Sequence, residues 1–181
     1  KVISPSESEI NSLLEHYQSG RYADAEKLAL AITQEFPKHQ FTWKVLGAVF
    51  TQTGKQLEAK SAKERAVQLA PQDAGAHSNL GNTFKDLGRL DEAEASYQQA
   101  IALKPDLAEA HSNLGVILKE LGKLDEAEAS LKQAIAFKSD FVEAHYNLGI
   151  TLQELGRLEE AEASYTQTIV LKPDYAEAHG N

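Results

Sequence analysis

The chain has 181 residues, 42% of them apolar, no cysteine, and a formal net charge of -9 at pH 7. The missing cysteines exclude disulfides and thiolate metal sites and leave the compartment open. The acid excess argues against a nucleic-acid backbone or an anionic membrane surface as partner, since both need clustered Lys and Arg, and no apolar run nears the roughly 18 residues that span a bilayer.

Residues 1–5 read as a lead-in. Ser6 with Glu9 then reads as an N-cap and its capping-box partner, opening a first helix. Gly20, Ala25 and Pro37 stand 34 residues before Gly54, Ala59 and Pro71. Trp43, Leu46 and Gly47, with Gly54, Ala59, Ala66 and Pro71, stand one period before His77, Leu80, Gly81, Gly88, Ala93, Ala100 and Pro105. "AHSNLG" at Ala76–Gly81 returns at Ala110–Gly115, and as "AHYNLG" at Ala144–Gly149. "LDEAEAS" at Leu90–Ser96 returns at Leu124–Ser130, and as "LEEAEAS" at Leu158–Ser164. The frame gives five repeats, at 6–39, 40–73, 74–107, 108–141 and 142–175, and a sixth that begins at 176 and stops at 181. A period of this size predicts a stacked array rather than a closed globule. The array lacks a polar-faced cap at its end and an initiator methionine at its start, so we expect a segment of a longer protein.

Each repeat reads as two helices. In the fourth, Ala110, Leu114, Ile117, Leu118 and Leu121 form one apolar stripe and Leu124, Ala127, Leu131, Ala134 and Ile135 a second. Gly122 between them suits a left-handed helix end. Asp106 with Glu109, Asp140 with Glu143 and Asp174 with Glu177 read as further N-caps with capping-box partners. Gly81, Gly115 and Gly149, with Ala93, Ala127 and Ala161, allow close helix approach. Lys63 stands where Tyr97, Leu131 and Tyr165 stand. We expect poorer packing there, unless the stem lies along the surface with the ammonium in water. At the C-terminal end Leu158, Ala161, Tyr165 and Ile169 form a stripe that lacks a covering repeat. It should be exposed and invite self-association.

These residues resemble the tetratricopeptide pattern, most literally in Trp43-x-x-Leu46-Gly47 followed by Gly54, Ala59, Ala66 and Pro71. The resemblance implies an all-α solenoid, a right-handed superhelix of antiparallel helix pairs. Repeats three to five look more particularly like those of O-linked N-acetylglucosamine transferases and related bacterial arrays, on "AHSNLG", "LGRLDEAEASY" and "ALKPD". In such enzymes the array precedes a catalytic domain and receives protein substrates along its inner face. Nothing in this chain resembles the catalytic part.

Four columns invite a functional reading. His77, His111, His145 and His179 stand where Trp43 stands, but equivalent positions lie about 10 Å apart, at least one helix diameter. Zinc needs its ligands about 2 Å from one centre, so these histidines read as partly buried occupants of an aromatic slot between helices. Acidic pairs such as Asp91–Glu92 and Glu159–Glu160 fall in first helical turns, where the dipole favours them. Some tetratricopeptide domains clamp a C-terminal carboxylate with Lys, Arg and Asn; aligning that clamp gives Lys44, Ala48, Asn79 and Glu109, or Ser78, Asn82, Asn113 and Glu143, and neither set has enough positive charge. Asn79, Asn113, Asn147 and Asn181 form the candidate site. Each amide carries a donor and an acceptor, so a column of them can serve as a rail for an extended peptide backbone, or as helix packing. The resemblance puts that helix on the concave groove, with Asn82, Val116, Lys119, Tyr146 and Ile150 as neighbours of Asn79, Asn113 and Asn147.

The functional expectation is a protein-interaction module for a protein or peptide ligand, with no cofactor, no metal and no catalytic constellation in this chain. The alternative is the substrate-recognition region of a glycosyltransferase-like enzyme whose active site lies elsewhere. A third reading is a self-assembling structural array.

Overall fold

Ser6 opens the first helix with reciprocal bonds. Its hydroxyl accepts from the Glu9 N–H at 3.2 Å, and Glu9 Oε2 accepts from the Ser6 N–H at 2.8 Å, which satisfies two amides that a helix start leaves orphaned. The computed structural model describes residues 4–175. Among these there is no strand. The helices are α1 (Glu7–Gln18), α2 (Tyr22–Glu35), α3 (Gln40–Gln52), α4 (Gln56–Leu69), α5 (Ala74–Asp86), α6 (Leu90–Leu103), α7 (Ala108–Glu120), α8 (Leu124–Phe137), α9 (Val142–Glu154) and α10 (Leu158–Leu171). None is long and apolar enough to cross a membrane. The sixth-repeat residues 176–181, with His179, Asn181 and the Glu177 capping partner, lie outside the described residues.

Glycine makes the turn inside each pair. Gly122 has φ +76°. Its N–H bonds the Lys119 carbonyl at 2.9 Å, and the Lys123 N–H reaches Leu118 O at 2.8 Å, the two bonds of a Schellman end. Gly20, Gly54, Gly88 and Gly156 take the same left-handed backbone.

The link into the next pair differs from the sequence expectation. Asp106 and Asp140 do not cap. The N-caps are Leu107 and Phe141, and neither makes a side-chain cap bond. Each aspartate falls one residue early, in a turn closed by bonds such as Leu107 N–H to Lys104 O at 3.3 Å. A half-buried apolar side chain holds the cap position instead. Asp73 stands at that position before α5, and there the capping rule does operate, with its carboxylate accepting from the Ala76 N–H at 2.9 Å.

The helices sort into two compact units that divide between Gly88 and Arg89, one holding α1–α5 and the other α6–α10. In the first, Leu13, Ala29, Ile32, Leu46 and Val49 form a core between α1, α2 and α3. In the second, Leu131 of α8 packs with Leu148 and Leu152 of α9 and with Ala161 and Tyr165 of α10.

Small residues set the closest approach within a pair. A Cβ on Gly115 would lie 2.5 Å from Leu131 Cγ and 3.2 Å from the Ala127 carbonyl, and one on Gly149 would lie 2.5 Å from the Tyr165 ring. In the first unit the partner of Gly47 is Lys63, 2.7 Å from such a Cβ through Cγ. The lysine corrects the expectation of an ammonium in water. Lys63 is 9% exposed, and its Nζ donates to Thr51 Oγ1 at 2.9 Å and Thr83 Oγ1 at 2.7 Å. The two threonines donate onward to Gly47 O and Asn79 O. A buried charge is tolerable when its donors are met, and these hydroxyls meet two of them. Burial pushes the Lys63 pKa down, and nearby Asp86 opposes that shift.

The C-terminal stripe is also corrected. Ala161 and Tyr165 are buried, because they face α9 and the Gly149 gap, whereas Leu158 is 61% exposed. The stripe is therefore not a continuous open face.

Candidate functional site

The histidine column acts on the preceding link. Trp43 Nε1 donates to Pro37 O at 3.0 Å. His77 Nε2 lies 3.0 Å from Pro71 O, His111 Nε2 2.8 Å from Pro105 O, and His145 Nε2 2.9 Å from Ser139 O. A carbonyl accepts, so Nε2 carries the proton in each ring. The rings thus latch each first helix to the residue that ends the previous pair. His111 also packs on Phe137 with centroids 5.5 Å apart. This refines the expected slot between helices, since the polar end of each ring is spent on a loop carbonyl. Among the described residues no group of His, Cys, Asp and Glu could hold a metal.

Other polar residues join successive pairs. Lys55 Nζ reaches Glu26 at 2.7 Å, Lys123 reaches Glu94 at 2.8 Å, and Arg157 Nη1 reaches Glu128 at 2.6 Å. Glu26, Glu94 and Glu128 share one repeat position, and Lys60 stands at the same position, paired with Glu64 at 2.9 Å. The expected acidic pairs do sit in first turns, where Glu92 and Glu160 engage Arg89 and Arg157. Asp73 gathers Lys44 Nζ at 2.9 Å and Gln40 Nε2 at 2.8 Å besides its cap bond. Burial alone would raise its pKa, but the bonds from Lys44, Gln40 and Ala76 outweigh it and hold the carboxyl at about 2. Lys44 is thereby engaged within the fold.

The asparagines lie on the first helices at positions open to solvent. Asn79 is exposed on α5, and Asn113 and Asn147 are half-buried on α7 and α9. Among the described residues no side chain or backbone group bonds the amides of Asn79 and Asn147; their main-chain carbonyls accept from Thr83 and Thr151. In the second unit α7 and α9 touch, so Asn113 and Asn147 belong to one two-helix face. Val116, Lys119, Tyr146 and Ile150 are half-buried on that face, and Lys119 Nζ lies 3.8 Å from Glu154 across it. Tyr146, Ile150, Gln153 and Glu154 line a cavity of about 470 Å³. Asn79 and Asn82 belong to α5, in the first unit.

Two features escaped the sequence reading. Asn11, exposed on α1, stands at the same repeat position as Asn79, while the position between them holds Val45, 7% exposed in the core. The column is therefore interrupted in the first unit. Counting back two further periods would have found it. The second is an apolar groove of about 320 Å³ between α2 and α4, floored by Trp43, Leu46 and Phe50 of α3 and edged by Leu30 and Leu57. Leu57 is 69% exposed. It occupies the place of Asp91, Asp125 and Glu159, and that mismatch was the readable signal.

This arrangement has relatives. The family described as TPR repeat matches residues 81–122 and 117–156, and the one described as tetratricopeptide repeat matches 142–175. No curated protein matches the chain. Solved structures do. A crystal structure of MamA is 22% identical, with 90% of this chain and 95% of that one covered at a TM-score of 0.83. YrrB, described as a TPR protein with an unusual peptide-binding site, is 21% identical, with 97% and 91% covered at 0.82. TTC0263, a thermophilic TPR protein in Thermus thermophilus, is 25% identical, with 96% and 94% covered at 0.71. At these identities the likeness speaks for the fold.

Proposed function

Because the chain belongs to the tetratricopeptide repeat family, whose members typically act as protein-interaction modules, we propose that it binds an extended peptide along the face of its first helices that carries the asparagines. The observation that carries this is the pair Asn113 and Asn147, on touching helices and one repeat apart. An amide presents a donor and an acceptor together, as a peptide unit does in mirror fashion. Two such groups in register grip the main chain and leave the ligand's side chains to neighbours. Val116 and Ile150 supply apolar contact, and Lys119 and Tyr146 supply polar ends. Asn79 and Asn82 offer the same chemistry on α5.

Selection of a random peptide library on the whole chain provides ligands for the test. Asn113→Ala with Asn147→Ala should weaken the selected peptides while helical content stays unchanged. The loss is about 0.5–1.5 kcal/mol per net hydrogen bond removed. Peptides that bind the double variant as tightly as the parent would retire the rail.

The second reading, a substrate-receiving array of a glycosyltransferase-like enzyme, uses the same amides. It is supported by the likeness of "AHSNLG" and "LGRLDEAEASY" to such arrays. A catalytic domain in the same open reading frame would select it, and an unrelated neighbour would remove it.

A further inference from the structure

The cavity on α9 combines rings with a carboxylate. Tyr146 is flanked by Tyr165 and Tyr175, with ring centroids 5.9 Å and 5.3 Å away. The Tyr165 hydroxyl donates to Gln153 Oε1 at 2.8 Å, which fixes the back of the site. Glu154 stands at the cavity wall with its side chain 46% exposed. Among the described residues its nearest cation, Lys119, is 3.8 Å away, beyond hydrogen-bond reach. Among those residues the carboxylate oxygens are thus oriented by a charge but not occupied by a donor.

The surrounding face has one sign. Among the described residues, Glu109, Glu120, Glu143 and Glu154 are exposed on α7 and α9, against the single lysine Lys119. The first unit lacks this bias: the positions matching the four glutamates carry Phe41 and Gln52 on α3 and Gly75 and Asp86 on α5. Burial first, then Tyr146 and the charge of Glu154, push the Tyr165 phenol up, which agrees with a negative site.

We propose that this cavity receives a lysine or arginine side chain of the bound peptide. The inference rests on the peptide-binding reading above and adds the ligand's chemistry. A long basic side chain can lay its methylenes along Ile150 while its cationic head meets the Tyr146 ring and Glu154. An apolar side chain of the same length would strip water from Glu154 and return nothing to it. An acidic one would meet the like charge of Glu154. The net charge of -9 favours basic ligands in the same sense.

Two synthetic peptides test it: an acetylated, amidated alanine-glycine heptapeptide with arginine at its centre, and the same peptide with norleucine there. Both are titrated into the isotopically labelled whole chain, and amide shifts are followed. The arginine peptide should bind about 2- to 30-fold tighter, the range of a ring–cation contact, and should shift amides from Tyr146 to Glu154. Salt should shrink that margin. Tyr146→Leu and Glu154→Gln should each erase most of the preference, and Glu154→Gln should do so without weakening norleucine binding. Glu154→Gln keeps the test decisive if the tyrosine variant unfolds. Equal affinity of the two peptides, with shifts at Asn113 and Asn147, would overturn the cation site alone. Failure of both peptides to bind would remove this proposal together with the peptide-binding face.

Discussion

The two units solve one packing problem with different chemistry. Where a first helix narrows to glycine, the second unit inserts Leu131 or Tyr165 and the first inserts Lys63. Tyr165 is rigid and ends in a single hydroxyl bonded to Gln153. Lys63 is flexible and ends in a charge held by Thr51, which stands at the repeat position of Gln153. The position thus accepts any long side chain whose tip finds a partner on the same neighbouring helix turn. What differs is the stiffness of the contact and its electrostatic cost. A charge held by two neutral hydroxyls contributes less than a ring or a leucine in the same space.

The comparison breaks most readily at the glycines. Gly149→Ala forces a methyl into the Tyr165 ring and should cost about 2 kcal/mol after the gain in helix propensity is counted. Gly47→Ala meets the unbranched Lys63 stem at Cγ, with the Ala59 carbonyl only in ordinary contact at 3.6 Å, and should fall within about 1 kcal/mol of the parent. Urea unfolding followed by circular dichroism reads both, and equal losses would deny the difference in stiffness. Next in size is Lys63→Leu, which copies Leu131 into the first unit. It should stabilise by about 1.5 kcal/mol, in the range seen when buried ionic groups are replaced by apolar ones. In the parent the lowered Lys63 pKa means that the unfolded chain holds its proton to higher pH. Stability from this group therefore rises between its folded pKa and its ordinary value. That rise should vanish in Lys63→Leu, and its persistence would assign it elsewhere.

Asp73→Ala tests the link before α5, which has no counterpart at Leu107 or Phe141. Loss of the cap should cost about 1 kcal/mol at neutral pH. The folded pKa is depressed from 3.8 to about 2, so the parent keeps the stabilisation above its ordinary value and loses it as pH falls toward 2. The variant should lack that acid limb, as equilibrium unfolding between pH 5 and 2 will show. The smallest change is Leu57→Asp, which restores the residue type of the later repeats. A carboxylate in the first turn of α4 should stabilise by about 0.5 kcal/mol at low salt, seen as a small rise in Tm. A clear fall instead would mean that Leu57 contributes more to the groove than its exposure suggests.

Much of this was legible because a repeat is its own control. The period located every helix pair, the glycine ends and the stripe residues Ala110, Leu114, Ile117 and Leu118, all of which the fold buries. Register was less legible at the links. Asp106 and Asp140 have the residue type of a cap, but one residue of slack in the turn hands the position to an apolar neighbour. Lys63 misled for a different reason: a sequence shows that a charge is out of place, and only packing shows that two hydroxyls wait for it. At the site, Asn113, Asn147 and their neighbours were drawn from the repeat. The tyrosine cluster was not, because Tyr146, Tyr165 and Tyr175 sit on three different segments and meet only through folding.

The latch between pairs carries a last consequence. Trp43, His77, His111 and His145 all address a main-chain carbonyl, which every residue type provides. The ion pairs between neighbours are the opposite case, since Glu26, Glu94 and Glu128 each require a matching cation one repeat on. A joint written in the main chain imposes no spelling on its neighbour. Repeats held this way can be duplicated, deleted or exchanged as whole units with the joint intact, and the side-chain pairs are then free to record which neighbour was meant.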